Sequence, residues 1–114
     1  MSETRLKGKI IGFEEYKDYK MENIFGENSP FRLLACAEAS LSFVVVSPYY
    51  ILEDYSFELE DNILNALEVN ENAIDNIAVL CIVRPDNNVL YANLRSPLII
   101  NIKNGFFTQI ILQD

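Results

Sequence analysis

The feature that most constrains the fold is the dipeptide Asn104-Gly105, which joins two apolar, strand-like runs at residues 98–103 and 106–112. Asn-Gly is the preferred pair for a type I′ turn, because both central residues of that turn adopt positive φ. A two-residue loop here predicts an antiparallel hairpin with these cross-strand pairs: Lys103 with Phe106, Ile102 with Phe107, Ile100 with Gln109, and Leu98 with Ile111. The segment therefore predicts a β-sheet domain.

Side-chain alternation along this hairpin predicts one buried face and one solvated face. The buried face would hold Leu98, Ile100, Ile102, Phe107 and Ile111, and the solvated face Asn101, Lys103 and Thr108. The hairpin contains no reactive side chain, which points towards binding rather than catalysis.

Several earlier segments also have strand patterns. Residues 8–12 fit a short strand or an extended entry, residues 18–24 alternate weakly, and residues 31–38 alternate more clearly. Residues 43–46 and 77–83 are continuous apolar runs, as is typical of strands that are covered on both faces.

The second half of the chain contains a turn and a bend between strands. Residues 85–88 predict a turn, after which residues 89–94 return antiparallel. Pro97 cannot donate a ladder hydrogen bond, so a bend at residues 95–97 separates this strand from the hairpin.

The period of the apolar residues changes at residues 58–67. Apolar side chains recur there at helical spacing and predict a two-turn amphipathic helix: Leu59, Ile63, Leu64 and Leu67. Residues 70–76 predict a further short helical turn capped by Asn70. Residues 49–57 are aromatic and acidic, which predicts a loop or a ragged edge strand. About seven strands with one short helical excursion favour a mainly β fold, a compact antiparallel barrel or sandwich.

Length and composition indicate one domain, residues 1–114, with a core that needs neither disulfide nor metal. Cys36 and Cys81 lie in apolar runs and are predicted to be buried free thiols. The longest uninterrupted apolar run is too short to span a bilayer, and no signal peptide is evident. We therefore expect a cytoplasmic protein without a membrane partner.

The net charge of −8 bears on the choice of partner. Nucleic-acid affinity depends on neutralising phosphates, so an acidic chain predicts no direct binding of RNA or DNA. A basic protein partner fits this charge, although acidity that serves only solubility explains it equally well.

The residue types also limit catalysis. The sequence has no histidine, which removes the usual general base and the commonest zinc ligand. The cysteines are far apart, the glycines are scattered, and residues 86–88 lack the spacing of a calcium loop. We predict no catalytic residue, no metal and no cofactor. The abundant carboxylates leave a small carboxylate-dependent hydrolase as an alternative.

Four aromatic residues fall within nine positions beside acidic side chains: Tyr49, Tyr50, Tyr55 and Phe57. Such a group can form an apolar patch with a charged rim, which is typical of an interaction surface. The alternative is that these rings simply close one end of a barrel.

Three longer motifs and one short motif occur in a fixed order. Gly12-Phe13-Glu14-Glu15 comes first, and Ser29-Pro-Phe31 is followed by Leu33-Leu34 and Glu38. Residues 41–59 read LSFVVVSPYYILEDYSFEL. Residues 75–112 contain D-x-I-A-V-L-x-I-V, then A-N-L-x-x-P-L-I-I-N, and a glycine before Q-x-I-L. In this order and spacing the motifs resemble the flagellar assembly factor FliW family over roughly residues 8–114.

The resemblance implies a regulatory protein that acts by binding. FliW proteins bind the translational regulator CsrA and relieve its repression of flagellin mRNA. They also bind flagellin, which couples flagellin level to flagellin synthesis and flagellum assembly. An acidic domain is suited to approach a basic RNA-binding protein. The amphipathic helical termini of flagellin would need an apolar groove.

We predict that partners contact the bend after residue 92 and the aromatic, acidic segment. The predicted binding residues are Tyr49, Tyr50, Glu53, Asp54, Tyr55, Glu58, Asn93, Leu94, Arg95 and Pro97. The tyrosines would be apolar anchors and the carboxylates an acidic rim. Asn93 would offer directional hydrogen bonds to a partner or bridge the backbone at the bend. Arg95 fits a solvated side chain better than a binding hot spot.

The chain differs from the family pattern at both ends. Only about ten residues precede the Gly-Phe-Glu motif, where the family has an additional strand region, and the chain stops soon after Q-x-I-L. A missing strand would leave an unpaired edge, which predicts β-augmentation or self-association. The competing hypotheses are an OB-like nucleic-acid-binding barrel, the hydrolase, and a folded but inactive fragment.

Overall fold

The ten-residue strand β5 closes the sheet, because its two halves pair with different neighbours. A computed structural model of the protein describes residues 3–70 and 75–113. Its elements are β1 (Glu3–Lys9), β2 (Asp18–Glu22), β3 (Phe31–Cys36), β4 (Ser42–Val46), α1 (Pro48–Ile51), α2 (Asp61–Ala66), β5 (Ile77–Asp86), β6 (Val89–Ala92), β7 (Leu98–Asn101) and β8 (Phe106–Gln109).

Seven strands form a closed barrel in the order β4-β3-β2-β1-β8-β7-β5, with β4 and β5 pairing to complete the ring. The first half of β5 pairs with β7, and its second half pairs with β4 and with the additional strand β6. The prediction of a mainly β barrel is therefore confirmed. Three details differ from it: an eighth strand, a second short helix, and the parallel pairing of β1 with β8.

Strand β1 corrects two predictions about the beginning of the chain. The strand spans Glu3–Lys9 rather than residues 8–12, and it lies between β2 and β8 in the middle of the sheet. No edge is left open at this position, so the prediction that a strand is missing is wrong. The free edge of the sheet belongs instead to β6, which pairs only with β5 among the described strands.

The barrel interior is the main core and lies between strands from all sides of the ring. It contains Leu6, Tyr19, Leu34, Val45, Leu98, Ile100 and Phe107. A second core lies outside the barrel wall, where α2 and the residues after it cover Ile99 and Val79. Strand β7 is consequently buried on both faces, which corrects the prediction of one solvated face.

The hairpin between β7 and β8 has a longer loop than Asn104-Gly105 predicts. Leu98 pairs with Gln109 and Ile100 with Phe107, two positions away from the predicted register. Gly105 has a φ of +81° and donates its N–H to the Asn101 carbonyl at 2.8 Å, whereas Asn104 has no positive φ. The predicted type I′ turn is therefore wrong at this position, and residues 102–105 form the loop.

This loop is determined by contacts with the end of α2. Asn101, only 3% exposed, donates its side-chain N–H to the Leu67 carbonyl at 2.9 Å, and Asn104 donates to the same oxygen at 3.2 Å. Ile102 and Ile111 point outwards, with 59% and 56% of their surface exposed. The prediction that these two isoleucines are buried and Asn101 solvated is wrong, because the register shift places them beyond the paired region.

The helical predictions are partly confirmed. The predicted helix at residues 58–67 exists as α2, Asp61–Ala66. Residues 48–51 form α1 rather than the start of a loop, because Ser47 caps the helix and Pro48 occupies its first turn. The helical turn predicted for residues 70–76 falls largely on residues 71–74, which lie outside the described residues.

Glu38, one of the motif residues, ties β2 to the loop after β3. Its carboxylate accepts hydrogen bonds from the backbone N–H groups of Lys17 and Asp18 at 2.7 and 2.9 Å. These two bonds lower the pKa of the Glu38 carboxyl below its ordinary value. The structural role of this motif residue is thus to join the loop after β3 to the beginning of β2.

Both cysteines are free thiols, as predicted. Cys36 is half-buried, whereas Cys81 is fully buried, and burial raises the pKa of the Cys81 thiol to about 11. None of the helices in the described part of the chain is long and apolar enough to cross a membrane.

Candidate partner-binding groove

A large groove on the described surface lies between the segment that joins α1 to α2 and the residues that follow β8. Its volume is about 1190 Å³. Apolar residues form its floor, including Tyr55, Phe57, Ile63 and Leu94. A concave, largely apolar surface of this size is suited to receive a ligand or the apolar face of a peptide helix.

Tyr55 fixes the floor of the groove to the bend after β6. Its hydroxyl donates to the Leu94 carbonyl at 2.7 Å, and its ring contacts those of Tyr49 and Phe57 at centroid distances of 5.7 and 5.5 Å. Burial of the ring raises the pKa of the Tyr55 phenol. The side chain therefore remains a neutral hydrogen-bond donor at neutral pH.

The bend itself is stabilised by polar side chains. The Asn93 side-chain oxygen accepts the Ser96 N–H at 3.2 Å, so the bridging role considered for Asn93 is present in the structure. Gln109 donates to the Ser96 carbonyl at 2.9 Å and accepts the Ile11 N–H at 2.9 Å. These bonds join β8, the bend and Ile11, which follows shortly after β1, into one end of the barrel.

The segment after β8 forms the second wall of the groove. Ile110 donates its N–H to the Pro97 carbonyl at 3.0 Å, and Leu112 donates to the Arg95 carbonyl at 2.8 Å. The Arg95 guanidinium returns a bond from Nε to the Leu112 carbonyl at 3.2 Å. Residues 110–112 therefore lie along the bend, and the exposed Ile111 presents an apolar side chain to the groove.

Acidic side chains line the opposite wall. Asp54, Glu58 and Glu60 all line the groove and are exposed. The ion pairs between described residues lie elsewhere: Lys7 with Asp18, Lys20 with Glu22, and Arg84 with Asp86. The carboxylates of the groove are thus available to a basic partner, and Arg95 is the cation that lines it beside them.

Five of the ten predicted binding residues line this groove: Asp54, Tyr55, Glu58, Leu94 and Arg95. Tyr49 packs beside it against Tyr55, whereas Tyr50 lies on the other side of α1 with its ring 6.3 Å from that of Phe31. Glu53 and Asn93 are exposed nearby. Pro97 is fully buried, so its contribution would be to shape the bend.

Sequence reasoning did not find the rest of the groove. Ile11, Leu52, Glu60 and residues 110–113 line it, although they belong to four separate parts of the chain. Alternation along the hairpin predicts that Ile111 lies in the core, which is wrong. The only signal that would have revealed it is the correct register of β7 with β8, which places residue 111 beyond the ladder.

The groove does not resemble a metal centre. In the described ranges, 3–70 and 75–113, no three side chains of the Cys, Asp or Glu type come together as a metal site. An apolar floor beside charged side chains is a combination that protein-binding surfaces often have.

Comparison with known proteins identifies the family. The chain matches the family model described as FliW protein over residues 3–114. The chain belongs to the FliW family. This confirms the resemblance found in the motifs.

Relatives and a solved structure agree with this assignment. The chain is 36% identical to the flagellar assembly factor FliW of Ruminiclostridium cellulolyticum over 104 residues, 90% of the chain and 70% of that protein. It is 32% identical to the flagellar assembly factor FliW of Clostridioides difficile over 117 aligned positions, 100% of the chain and 88% of that protein. A crystal structure of the flagellar assembly factor FliW superimposes with a TM-score of 0.84 at 27% identity, over 99% of this chain and 79% of the other.

Proposed function

We propose that this FliW family member is a non-enzymatic regulator in the cytoplasm that binds the translational regulator CsrA and flagellin. Binding of CsrA would relieve repression of flagellin mRNA, and binding of flagellin would couple flagellin level to synthesis and flagellum assembly. The observation that carries this proposal is the groove, which combines an apolar floor with an acidic wall on a chain of this family.

The two sides of the groove suit the two partners in different ways. An amphipathic helix such as a flagellin terminus would place its apolar face against Leu94 on the floor and Ile111 on the adjoining wall. A basic RNA-binding protein such as CsrA would be attracted by the wall formed by Asp54, Glu58 and Glu60. The net charge of −8 adds a field that accelerates association with a basic partner and repels RNA.

Two pairs of matched variants test the proposal. The first pair compares Ile111→Ser, inside the groove, with Ile102→Ser, an equally exposed isoleucine outside it. The second compares the double variant Asp54→Asn and Glu58→Gln with Glu15→Gln and Glu27→Gln, which changes the net charge equally at a distance from the groove. Binding of each purified variant to CsrA and to flagellin is measured by isothermal titration calorimetry.

We expect Ile111→Ser to weaken flagellin binding about tenfold, because a centrally placed apolar contact is lost. The charge-neutralising double variant should weaken CsrA binding, mainly through slower association that is sensitive to salt. The matched controls should bind as the unmodified protein does. The proposal fails when the unmodified protein binds neither CsrA nor flagellin. Groove variants that behave like their controls would place the binding surface elsewhere.

A further inference from the structure

Strand β6 forms a second surface of unusual character, on the other side of α1 from the groove. It follows a two-residue turn at Asn87-Asn88, where both residues have positive φ, and it pairs with the end of β5. No other strand among the described residues pairs with β6. One side of the strand is therefore an open sheet edge.

The register of the hairpin shows which backbone groups face outwards. A two-residue turn makes the flanking pair, Asp86 with Val89, hydrogen-bonded, so that the next pair, Pro85 with Leu90, is not. Pro85 is compatible with this position because its missing N–H would not contribute to the hairpin ladder. The N–H and C=O of Leu90 consequently point away from β5 and present an unused donor and acceptor.

An apolar cleft lies beside this edge. Leu90 lines it together with Phe25, Phe31, Val44, Val83 and Pro85, and its volume is about 270 Å³. Leu90 is 58% exposed, Phe25 in the same cleft is exposed, and the exposed Tyr50 packs on Phe31. The combination of open backbone groups and a flanking apolar pocket is what strand addition requires, because the backbone gives affinity and the pocket selects a side chain.

Apart from its short length of four residues, the edge lacks the side-chain devices that usually prevent strand addition. Natural edge strands are protected by lysine, proline or inward-pointing charge. The sequence of β6 is Val-Leu-Tyr-Ala, which contains none of these. Arg84, on the neighbouring strand, is occupied by an ion pair with Asp86 at 3.6 Å and lies over the Tyr91 ring at 5.2 Å. The guanidinium thus lies over the ring of a β6 residue, and the Asp86 carboxylate offsets its charge there.

The charge of the chain distinguishes between two possible occupants of this edge, a second copy of the chain and a segment of another protein. A second copy of the chain would bring a further net charge of −8 to the contact, and the exposed Glu27 lies two residues from Phe25. Like charges disfavour that pairing, whereas lysine or arginine on an incoming segment would be attracted. We propose that the edge of β6 and the cleft beside it bind an extended, basic peptide segment of another protein as an added strand. This inference is independent of the groove and of the partners proposed for it.

The test uses synthetic peptides and two substitutions at one position. The probe is a dye-labelled peptide of sequence KVTLTVK, and its controls are KVTPTVK, which cannot complete the ladder, and EVTLTVE, which reverses the charge. Leu90→Ser removes the side chain alone, while Leu90→Pro removes the side chain and the outward N–H. Ile102→Ser serves as the control for an exposed isoleucine elsewhere. Binding is followed by fluorescence anisotropy, and circular dichroism verifies that each variant is folded.

We expect the unmodified protein and Ile102→Ser to bind KVTLTVK, and to bind neither control peptide at the same concentration. Leu90→Ser should weaken binding about threefold to fivefold, and Leu90→Pro about fivefold more, the value of one backbone hydrogen bond. Binding absent up to about 1 mM overturns the proposal, and so does equal binding of the acidic peptide. A dimer seen by sedimentation that Leu90→Pro dissociates would overturn it by showing that a second copy takes the edge.

Discussion

Removal of the hydroxyl group should affect the free energy of unfolding differently at two buried tyrosines. Tyr55 donates its hydroxyl hydrogen to the Leu94 carbonyl at 2.7 Å, whereas the Tyr19 hydroxyl is buried with no hydrogen-bond partner among the described residues. Substitution by phenylalanine preserves each ring and its packing. Only Tyr55→Phe should therefore remove a bond and leave a carbonyl without its partner.

The magnitudes follow from the cost of hydrogen bonds. A hydrogen bond makes a net contribution of about 1 kcal/mol to the free energy of unfolding. The Leu94 carbonyl is half-buried and still partly open to water, so leaving it unpaired costs less than a full desolvation penalty. We expect Tyr55→Phe to lower the free energy of unfolding by about 1–2 kcal/mol, or Tm by about 4 °C for each kcal/mol. Tyr19→Phe should change it by less than about 0.5 kcal/mol or raise it, because an unpaired buried hydroxyl is removed.

Urea unfolding of both variants, with the exposed Tyr50→Phe as control, measures these differences directly. A pH series adds a second readout for Tyr19, whose burial, 1% exposed, raises the pKa of its phenol to about 12. Because the pKa of the phenol is raised in the folded state, its contribution to stability is fully present below the ordinary pKa near 10. This contribution is lost as the pH rises towards 12. Tyr19→Phe should remove that part of the alkaline loss. Equal destabilisation by Tyr19→Phe and Tyr55→Phe would refute the reasoning.

Two further substitutions test the closure of the barrel and the contact between β2 and the loop after β3. Gly8→Ala would place a Cβ 2.0 Å from the Phe107 carbonyl oxygen, and backbone cannot yield as a side chain can. We expect a loss of more than about 3 kcal/mol in urea unfolding, against about 1 kcal/mol for Gly26→Ala, which meets no atom. The pKa of Glu38 is lower in the folded state than in the unfolded state, so its contribution to stability is present above the unfolded-state pKa and is lost as the pH falls through the folded-state pKa. Glu38→Gln should therefore make the free energy of unfolding less dependent on pH in acid. Urea midpoints that fall equally with acid in both proteins would contradict this.

The sequence predicted the strands of the barrel well because apolar runs and alternation depend on local burial. It failed at the hairpin loop because the loop is determined by a distant contact. Asn-Gly has the stronger local preference for a type I′ turn, yet Asn87-Asn88 adopts that turn and Asn104-Gly105 does not. The side chains of Asn101 and Asn104 are instead bound to the Leu67 carbonyl, and local pattern contains no information about α2.

The same physical reason separates the predicted and missed parts of the groove. Tyr55 belongs to the aromatic segment, residues 49–57, and Leu94 belongs to the bend that follows β6. Each of these segments is a run of neighbouring residues that a sequence pattern can reveal, and one hydrogen bond joins the two. The opposite wall consists of residues 110–112, and it exists because the Pro97 and Arg95 carbonyls accept their N–H groups. Those carbonyls lie in the bend between β6 and β7, where the pairing with β5 is interrupted. The wall is thus a consequence of register, which composition and periodicity do not specify.

Helix α1 connects the two proposed surfaces although it has only four residues. Successive helical residues point about 100° apart, so Tyr49 and Tyr50 diverge. Tyr49 packs on Tyr55 at the groove, and Tyr50 packs on Phe31 at the cleft. The orientation of both rings depends on the cap formed by Ser47, whose hydroxyl accepts the Tyr49 N–H at 3.3 Å, and on Pro48, which is buried. Since one short, capped helix carries both rings, a displacement of α1 at one surface would also shift the ring that it holds at the other.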